Sequence, residues 1–228
     1  MSFIWKDKSS DSMDVVVLKM PVISRATEDY DKEPVPGSDE TLTIKNGLVP
    51  VTKPVTGHYC GSDINGFMEW LSGKGNLILG NQEDRYYEAE ILDKVEITEL
   101  VPSQLYKFSC EFFCQPLGYH LGSNCIEITS TATVYNPGNY KSSPYMKITG
   151  AGNITLTING RNTVFKGVTD FIEVDSKLKN AYRTVNGGKS DANNLMYSPF
   201  PYLDSGENAI SWTGTVSKVE ILPRWCSR

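Results

Sequence analysis

The stretch Lys147–Asp175, KITGAGNITLTINGRNTVFKGVTDFIEVD, constrains the chain most. Asn159-Gly160 sits between two alternating runs. A two-residue hairpin turn needs φ > 0 at both central residues, which Asn and Gly tolerate best. A turn there sets Ile158 opposite Arg161, Leu156 opposite Thr163 and Ile154 opposite Phe165. Opposed residues share a face, so Ile154, Leu156, Ile158 and Phe165 form one apolar patch while Thr155 and Thr157 point away. Gly150 and Gly152 punctuate the entry and Gly167 the exit, before a third strand at Phe171–Val174. The pattern is an antiparallel meander with one buried face.

The rest of the second half extends it. Asn136-Pro137-Gly138-Asn139 reads as a turn and as the domain boundary, giving domains 1–135 and 136–228. Ser143–Thr149 reads as a strand, and Tyr182–Tyr197, rich in Asn, Gly, Ser and Lys, as a surface loop. Ala209–Thr213 and Thr215–Leu222 are expected to form a closing hairpin around Gly214. Roughly eight short strands over about ninety residues predict a β-sandwich.

The first half reads as mainly β with one helix. Met1–Ser12 is polar and expected to be a loose arm, and Asp14–Met20 a strand ended by Pro21. Glu28–Glu40, EDYDKEPVPGSDE, carries six acids against Lys32 and reads as a solvated acidic loop, or one that faces a pore or a basic partner. Thr41–Lys45 alternates as a strand. Asp63 is placed as an N-cap, Ile64, Phe67, Met68 and Leu71 follow at i, i+3, i+4 and i+7, and Gly73 stops the pattern. Strands follow at Leu77–Leu79, Tyr86–Leu92, Val95–Thr98, Leu105–Gln115 and Ile126–Tyr135. In Leu105–Gln115, Tyr106, Phe108, Cys110, Phe112 and Cys114 share a face.

Composition narrows the function classes. A net charge of −5 over 228 residues disfavours a nucleic-acid partner, whose backbone calls for clustered Lys and Arg. The longest aliphatic run, Val15–Leu18, is far short of the ~18 residues of a membrane span. The opening MSFIWKDKSS lacks the apolar core of a secretory signal, so folding in the cytoplasm is expected. Cys60, Cys110, Cys114, Cys125 and Cys226 have no zinc spacing, and only His58 and His120 add imidazoles; Cys110 and Cys114, four apart on one strand face, are expected to be buried apolar thiols, with no metal or cofactor. No nucleophile elbow, phosphate-binding glycine loop or zinc-protease helix occurs. Glu88 and Glu90, with Glu83 and Asp84 nearby, supply carboxylates of the kind glycosidases use, but their i, i+2 spacing on a strand suits a solvated face. Trp5, Trp70, Trp212 and Trp225 suit packing, subunit contacts or a sugar platform.

Several stretches in order resemble the distal tail proteins of siphophages, above all those of Gram-positive hosts. Leu77–Leu92, with Tyr86-Tyr87-x-Ala, and Phe108–Pro116 match in the first half. In the second half Asn136-Pro137-Gly138-Asn139-Tyr140, Ser143-Pro144, Ile148-Thr149-Gly150, Ile154–Gly160, Ile172–Asp175 and Tyr182 follow in the family's order. So do Phe200-Pro201-x-Leu203, Gly206-x-Asn208-x-Ile210 and Pro223-Arg224-Trp225. The resemblance implies an all-β chain: an N-terminal ring-forming β domain with one short helix, then a C-terminal galectin-like sandwich. It implies that the matched residues are structural and not catalytic. It further implies a six-copy ring, with monomers or dimers when isolated, joining the tail tube protein to the tail-associated baseplate protein. The implied site is the tail tip of a phage or prophage particle, assembled in the host cytoplasm. The galectin sugar motif is absent: Asn136-Pro137 runs into Gly138, and Trp212 lacks its Glu. A carbohydrate-binding, adhesin-like sandwich is the alternative.

Overall fold

Alternation and turn chemistry place nineteen strands and one α-helix along residues 1–228, all of which the computed structural model describes. They form two units, residues 1–119 with Arg228, and residues 120–227. The first holds β1 (Phe3–Trp5), β2 (Lys8–Ser9), β3 (Val15–Lys19), β4 (Glu28–Pro34), β5 (Thr41–Leu48) and β6 (Val51–Tyr59). Then come α1 (Ile64–Trp70), β7 (Gly73–Leu79), β8 (Gln82–Ile91), β9 (Glu96–Val101) and β10 (Leu105–His120), whose last residue enters the second unit. The second continues with β11 (Ile126–Ile128), β12 (Ala132–Asn136), β13 (Tyr145–Ile158), β14 (Arg161–Val168) and β15 (Phe171–Asp175). It ends with β16 (Asn180–Val185), β17 (Gly188–Asp191), β18 (Gly206–Leu222) and β19 (Cys226–Ser227).

In the first unit the sheet runs β2-β1-β7-β8-β10-β6-β3, with β9 also on β10. The alternation of β10 sets its buried face: Phe108, Cys110, Phe112 and Cys114 point into the core, as their spacing predicts. Asp63 caps α1, its carboxylate accepting from the Gly66 N–H at 2.9 Å. The helix buries Phe67, Trp70 and the following Leu71, while Met68 turns outward, because the helix is seven residues long and one face meets the sheet. Phe67 stacks on Tyr59 with centroids 4.2 Å apart and meets Phe108 edge-on.

The expected loose arm is instead part of this core. Phe3 and Trp5 are fully buried, and β1 pairs with β7. The Trp5 indole N–H donates to the Trp70 carbonyl at 2.8 Å, and the Trp70 indole N–H donates to the Trp5 carbonyl at 3.1 Å. Each ring thus satisfies its one polar atom on the other's backbone, so two large apolar side chains enter the core without an orphaned donor. Lys6, Asp7 and Lys8 make this stretch polar on average, but Phe3 and Trp5 alternate onto one face of β1.

The expected acidic loop is also a correction. Glu28–Pro34 pairs with Thr41–Leu48 as a separate two-stranded sheet, and only Val35–Glu40 turns. Pro34 and Pro36 obscured the alternation on the way out.

In the second unit the hairpin has the register its sequence predicts: Ile154 opposite Phe165, Leu156 opposite Thr163, Ile158 opposite Arg161. Asn159 and Gly160 carry φ of 50° and 77°. Three expectations change. The units divide at Tyr119/His120, not near Asn136, because β11 and β12 both pair with β18. Tyr182–Tyr197 holds a β16–β17 hairpin and a 3-10 turn at Asn193–Leu195. The closing hairpin is one strand, β18, which pairs with β13 from Tyr145↔Leu222 to Ile158↔Ile210.

That pair bends in the middle. Its register shifts between Thr149 and Gly150 and again between Ala151 and Thr155. Before the bend β13 takes β15 as its other neighbour, and after it β14. Met146 and Ile148 from one half, and Leu156 and Ile158 from the other, enter one core. One sheet therefore folds over on itself through paired bulges. Glycine is needed on both sides of the bend: a Cβ at Gly150 would lie 2.2 Å from the Thr215 carbonyl oxygen, and one at Gly214, where φ is +97°, 2.3 Å from that of Asn153.

Asp175 and Lys53 are charged residues buried within the two units. Asp175, 3% exposed, takes a two-pronged pair from Arg224 at 2.7 and 2.8 Å, and its Oδ1 also accepts the Lys177 and Leu178 N–H groups. Burial pushes its pKa up, but the guanidinium and the N–H donors outweigh that and hold it below 3.8. Its neighbour Trp225 is buried in the same unit's core. Lys53, 1% exposed, has no hydrogen-bond partner for Nζ, which lies 4.3 Å over the Tyr87 ring. Burial lowers its pKa, Cys114 raises it and Arg85 lowers it further.

Arg224→Met is expected to cost roughly 3 kcal/mol, because it strands a buried carboxylate. Adding Asp175→Asn should recover a large part in a denaturation double-mutant cycle, whereas additive losses would contradict the coupling. The depressed carboxylate pKa adds stability present above 3.8 and lost as pH falls further, a loss absent from the double variant.

Lys53→Met should instead stabilise the chain by about 1–3 kcal/mol near neutral pH, the cost of a buried unsatisfied polar group. With the folded amine pKa below 10.5, the unfolded chain binds the proton first as pH drops, so wild type loses stability below that value. The gap between variant and wild type should then close as pH rises toward 10.5. A variant less stable at every pH would show a charged amine held by the Tyr87 ring.

Candidate functional site

Cys110 and Cys114 are pushed up to about 12 and Cys226 to about 11, each by burial first, so none is an activated nucleophile. No group of three or more His, Cys, Asp or Glu side chains is placed to hold a metal ion. His120 Nε2 lies 2.8 Å from Ser227 Oγ, which also receives the Asn139 N–H at 3.4 Å; this small knot fastens the last strand of the second unit. Glu88 and Glu90 line a shallow groove of about 410 Å³ with Lys74, which pairs with Glu90 at 3.3 Å.

Most of the second-unit residues that carry the family resemblance fall into three groups. Gly150 lies at the bend, where side chains do not fit. Asp175, Pro223, Arg224 and Trp225 close the second unit around the buried ion pair. The third group is a polar network at the Asn159-Gly160 end. Asn208, fully buried, accepts the Asp204 N–H at 2.7 Å and donates to the Asp204 and Gly206 carbonyls. Asn159 donates to Asp204 and accepts from the Ala209 N–H, locking the hairpin turn onto the start of β18. Arg161 pairs with Asp204 at 2.7 Å and lies 4.0 Å over the Tyr202 ring. Leu203 is buried beneath, and Phe200, Pro201 and Tyr202 line a pocket of about 240 Å³ beside Arg161.

Pro137 leads into Gly138, whose N–H donates to the Asn136 side chain and where a Cβ would lie 2.1 Å from the Cys226 carbonyl oxygen. In the first unit Tyr87 is buried over Lys53, and Tyr86 stacks on Tyr119 at 5.4 Å. These residues build the framework.

No residue of the β4–β5 hairpin belongs to either core. Every residue from Asp29 to Gly47 is exposed. Tyr30 is paired with Lys45, Asp31 with Ile44, Lys32 with Thr43 and Glu33 with Leu42. One face therefore carries Asp31, Glu33, Leu42 and Ile44; the other carries Tyr30, Lys32, Thr43 and Lys45. Glu28 anchors the base, bonded to Lys45 at 2.7 Å and to Arg228 at 3.0 Å. Sequence reasoning found the acids and missed the two faces, although the alternation of Asp31 and Glu33 with Tyr30 and Lys32 was the signal.

No protein-family model and no curated protein matches the sequence. Among solved structures, the chain is similar to the Dit protein of phage SPP1, described as a paradigm of the hub adsorption apparatus in phages that infect Gram-positive bacteria. The TM-score is 0.74 at 15% identity, over 96% of this chain and 97% of that one. It is also similar to a chain of the phage p2 baseplate in its activated, strontium-containing conformation, with TM-score 0.52 at 10% identity over 96% and 97% of the two chains. Over 96% of its length, this chain shares the fold of SPP1 Dit.

Proposed function

We propose that the protein is a structural hub of a phage or prophage tail tip. Six copies form a ring through the first unit, joining the tail tube protein to the tail-associated baseplate protein, and the second unit is a galectin-like module. The observation that carries this reading is the likeness to SPP1 Dit over 96% of one chain and 97% of the other, so both units are common to the two in the same order. The division of labour supports it as well. The matched residues are spent on turns, the bend and the buried ion pair, as in a scaffold whose shape is its function. A net charge of −5 suits a conduit through which DNA must slide without adhering.

Negative-stain imaging of the protein with its tail-tube and baseplate neighbours tests the proposal. Closed six-fold particles are expected. Only open chains or single copies in every mixture would overturn it.

The adhesin-like reading draws on the pocket beside Tyr202 and Arg161, where an aromatic ring and polar groups converge. The guanidinium covers one face of that ring, which leaves little platform for a sugar. The isolated protein is expected to show no saturable binding to host cell-wall saccharides at micromolar concentration. Binding abolished by Tyr202→Ala or Trp212→Ala would favour the adhesin.

A further inference from the structure

The geometry points to the β4–β5 hairpin as a clasp between copies of this chain: the acidic, aliphatic face of one copy's hairpin packs on the cationic, aromatic face of the next copy's. The inference rests on the hub reading, for which it names the contact between neighbours.

A two-stranded hairpin is marginal in water unless something packs on it. This one has no core beneath it, since every residue from Asp29 to Gly47 is exposed. It nevertheless presents large apolar groups on both sides. Leu42 is 52% and Ile44 42% exposed on one face, and Tyr30 is 48% exposed on the other. Each face also has its own sign of charge. Asp31 and Glu33 share the first with the two aliphatics; the second carries Lys32, and Lys45, which Glu28 already pairs at 2.7 Å. Lys32 lies 5.2 Å over the Tyr30 ring, so the second face offers a cation on an aromatic base.

The two faces complement each other in charge and in apolar content. A second copy of the chain therefore brings the matching surface without further design. Because the contacting patches differ, the contact is head-to-tail, the kind that closes into a ring or runs on as a filament. Facing sheets about 10 Å apart bury Leu42 and Ile44 against the stem of Lys32 and the ring of Tyr30.

Charge reversal on each face tests this. One variant, Asp31→Lys with Glu33→Lys, makes both faces basic; the other, Lys32→Glu with Lys45→Glu, makes both acidic. Each alone is expected to lose self-association at least about tenfold in sedimentation velocity. An equimolar mixture is expected to recover it, since alternating copies again present opposite signs, and that recovery also shows that both variants fold. Leu42→Ser with Ile44→Ser should weaken association at all salt concentrations, whereas wild type should weaken as ionic strength rises.

Undiminished assembly of either charge variant, or a mixture that stays dissociated, overturns the clasp. So does a wild-type chain that remains monomeric throughout its soluble range, alone and with its tail neighbours. Closed rings formed by each variant with those neighbours would sink the clasp and leave the hub standing. Wild type that associates through the hairpin but never closes six-fold would do the reverse.

Discussion

The second unit depends on one backbone event, the joint bend of β13 and β18. Two paired strands of fourteen and seventeen residues are too long for one flat layer of a small domain, so they must turn a corner together. The register shifts at Thr149/Gly150 and Ala151/Thr155 supply the extra twist, and Gly150 and Gly214 leave room for carbonyls that a Cβ would strike. Everything else is placed by that corner. It gives β14 and β15 different halves of β13 to pair with, and it brings Met146 and Leu156 into the same core. It also carries β18 past β11 at one end and β12 at the other, which is why residues 120–135 belong to this unit.

Local chemistry was legible in the sequence and long-range pairing was not. The Asn159-Gly160 turn, its register, the Asp63 cap and the buried face of Leu105–Gln115 all follow from spacing and from what φ > 0 demands. Glycine serves a turn and a bulge equally well, and at Gly214 only the pairing of β18 with β13 decides for the bulge. Phe3 and Trp5 looked exposed in a polar stretch, because what buries them is β7 and the Trp70 carbonyl, about sixty-five residues away. Lys53 is the sharpest case. Nothing in VTKPV marks that lysine for the interior, yet its register opposite Phe112 sends it there.

The site was legible only in part for a related reason. Among the residues that carry the family resemblance are a buried carboxylate with its guanidinium, an asparagine bonded to the turn beside it, and glycines under carbonyls. Such residues report fold. The proposed contact surface rests instead on Tyr30, Asp31, Lys32, Glu33, Leu42, Ile44 and Lys45, exposed side chains that belong to neither core. Their meaning is a pattern of faces, visible once Glu28–Pro34 is known to be a strand and not a loop.

A scaffold built this way should reveal itself through assembly. The proposed function requires that six copies close into one particle, and native mass spectrometry of the protein mixed with the proposed tail-tube and baseplate partners measures that directly. Dissociating those partners in the gas phase should leave a core of six 25.4 kDa chains, about 152 kDa, with no odd-numbered or open-ended series. A ladder of masses with no favoured count, or a single 25.4 kDa species under every condition, would contradict the account.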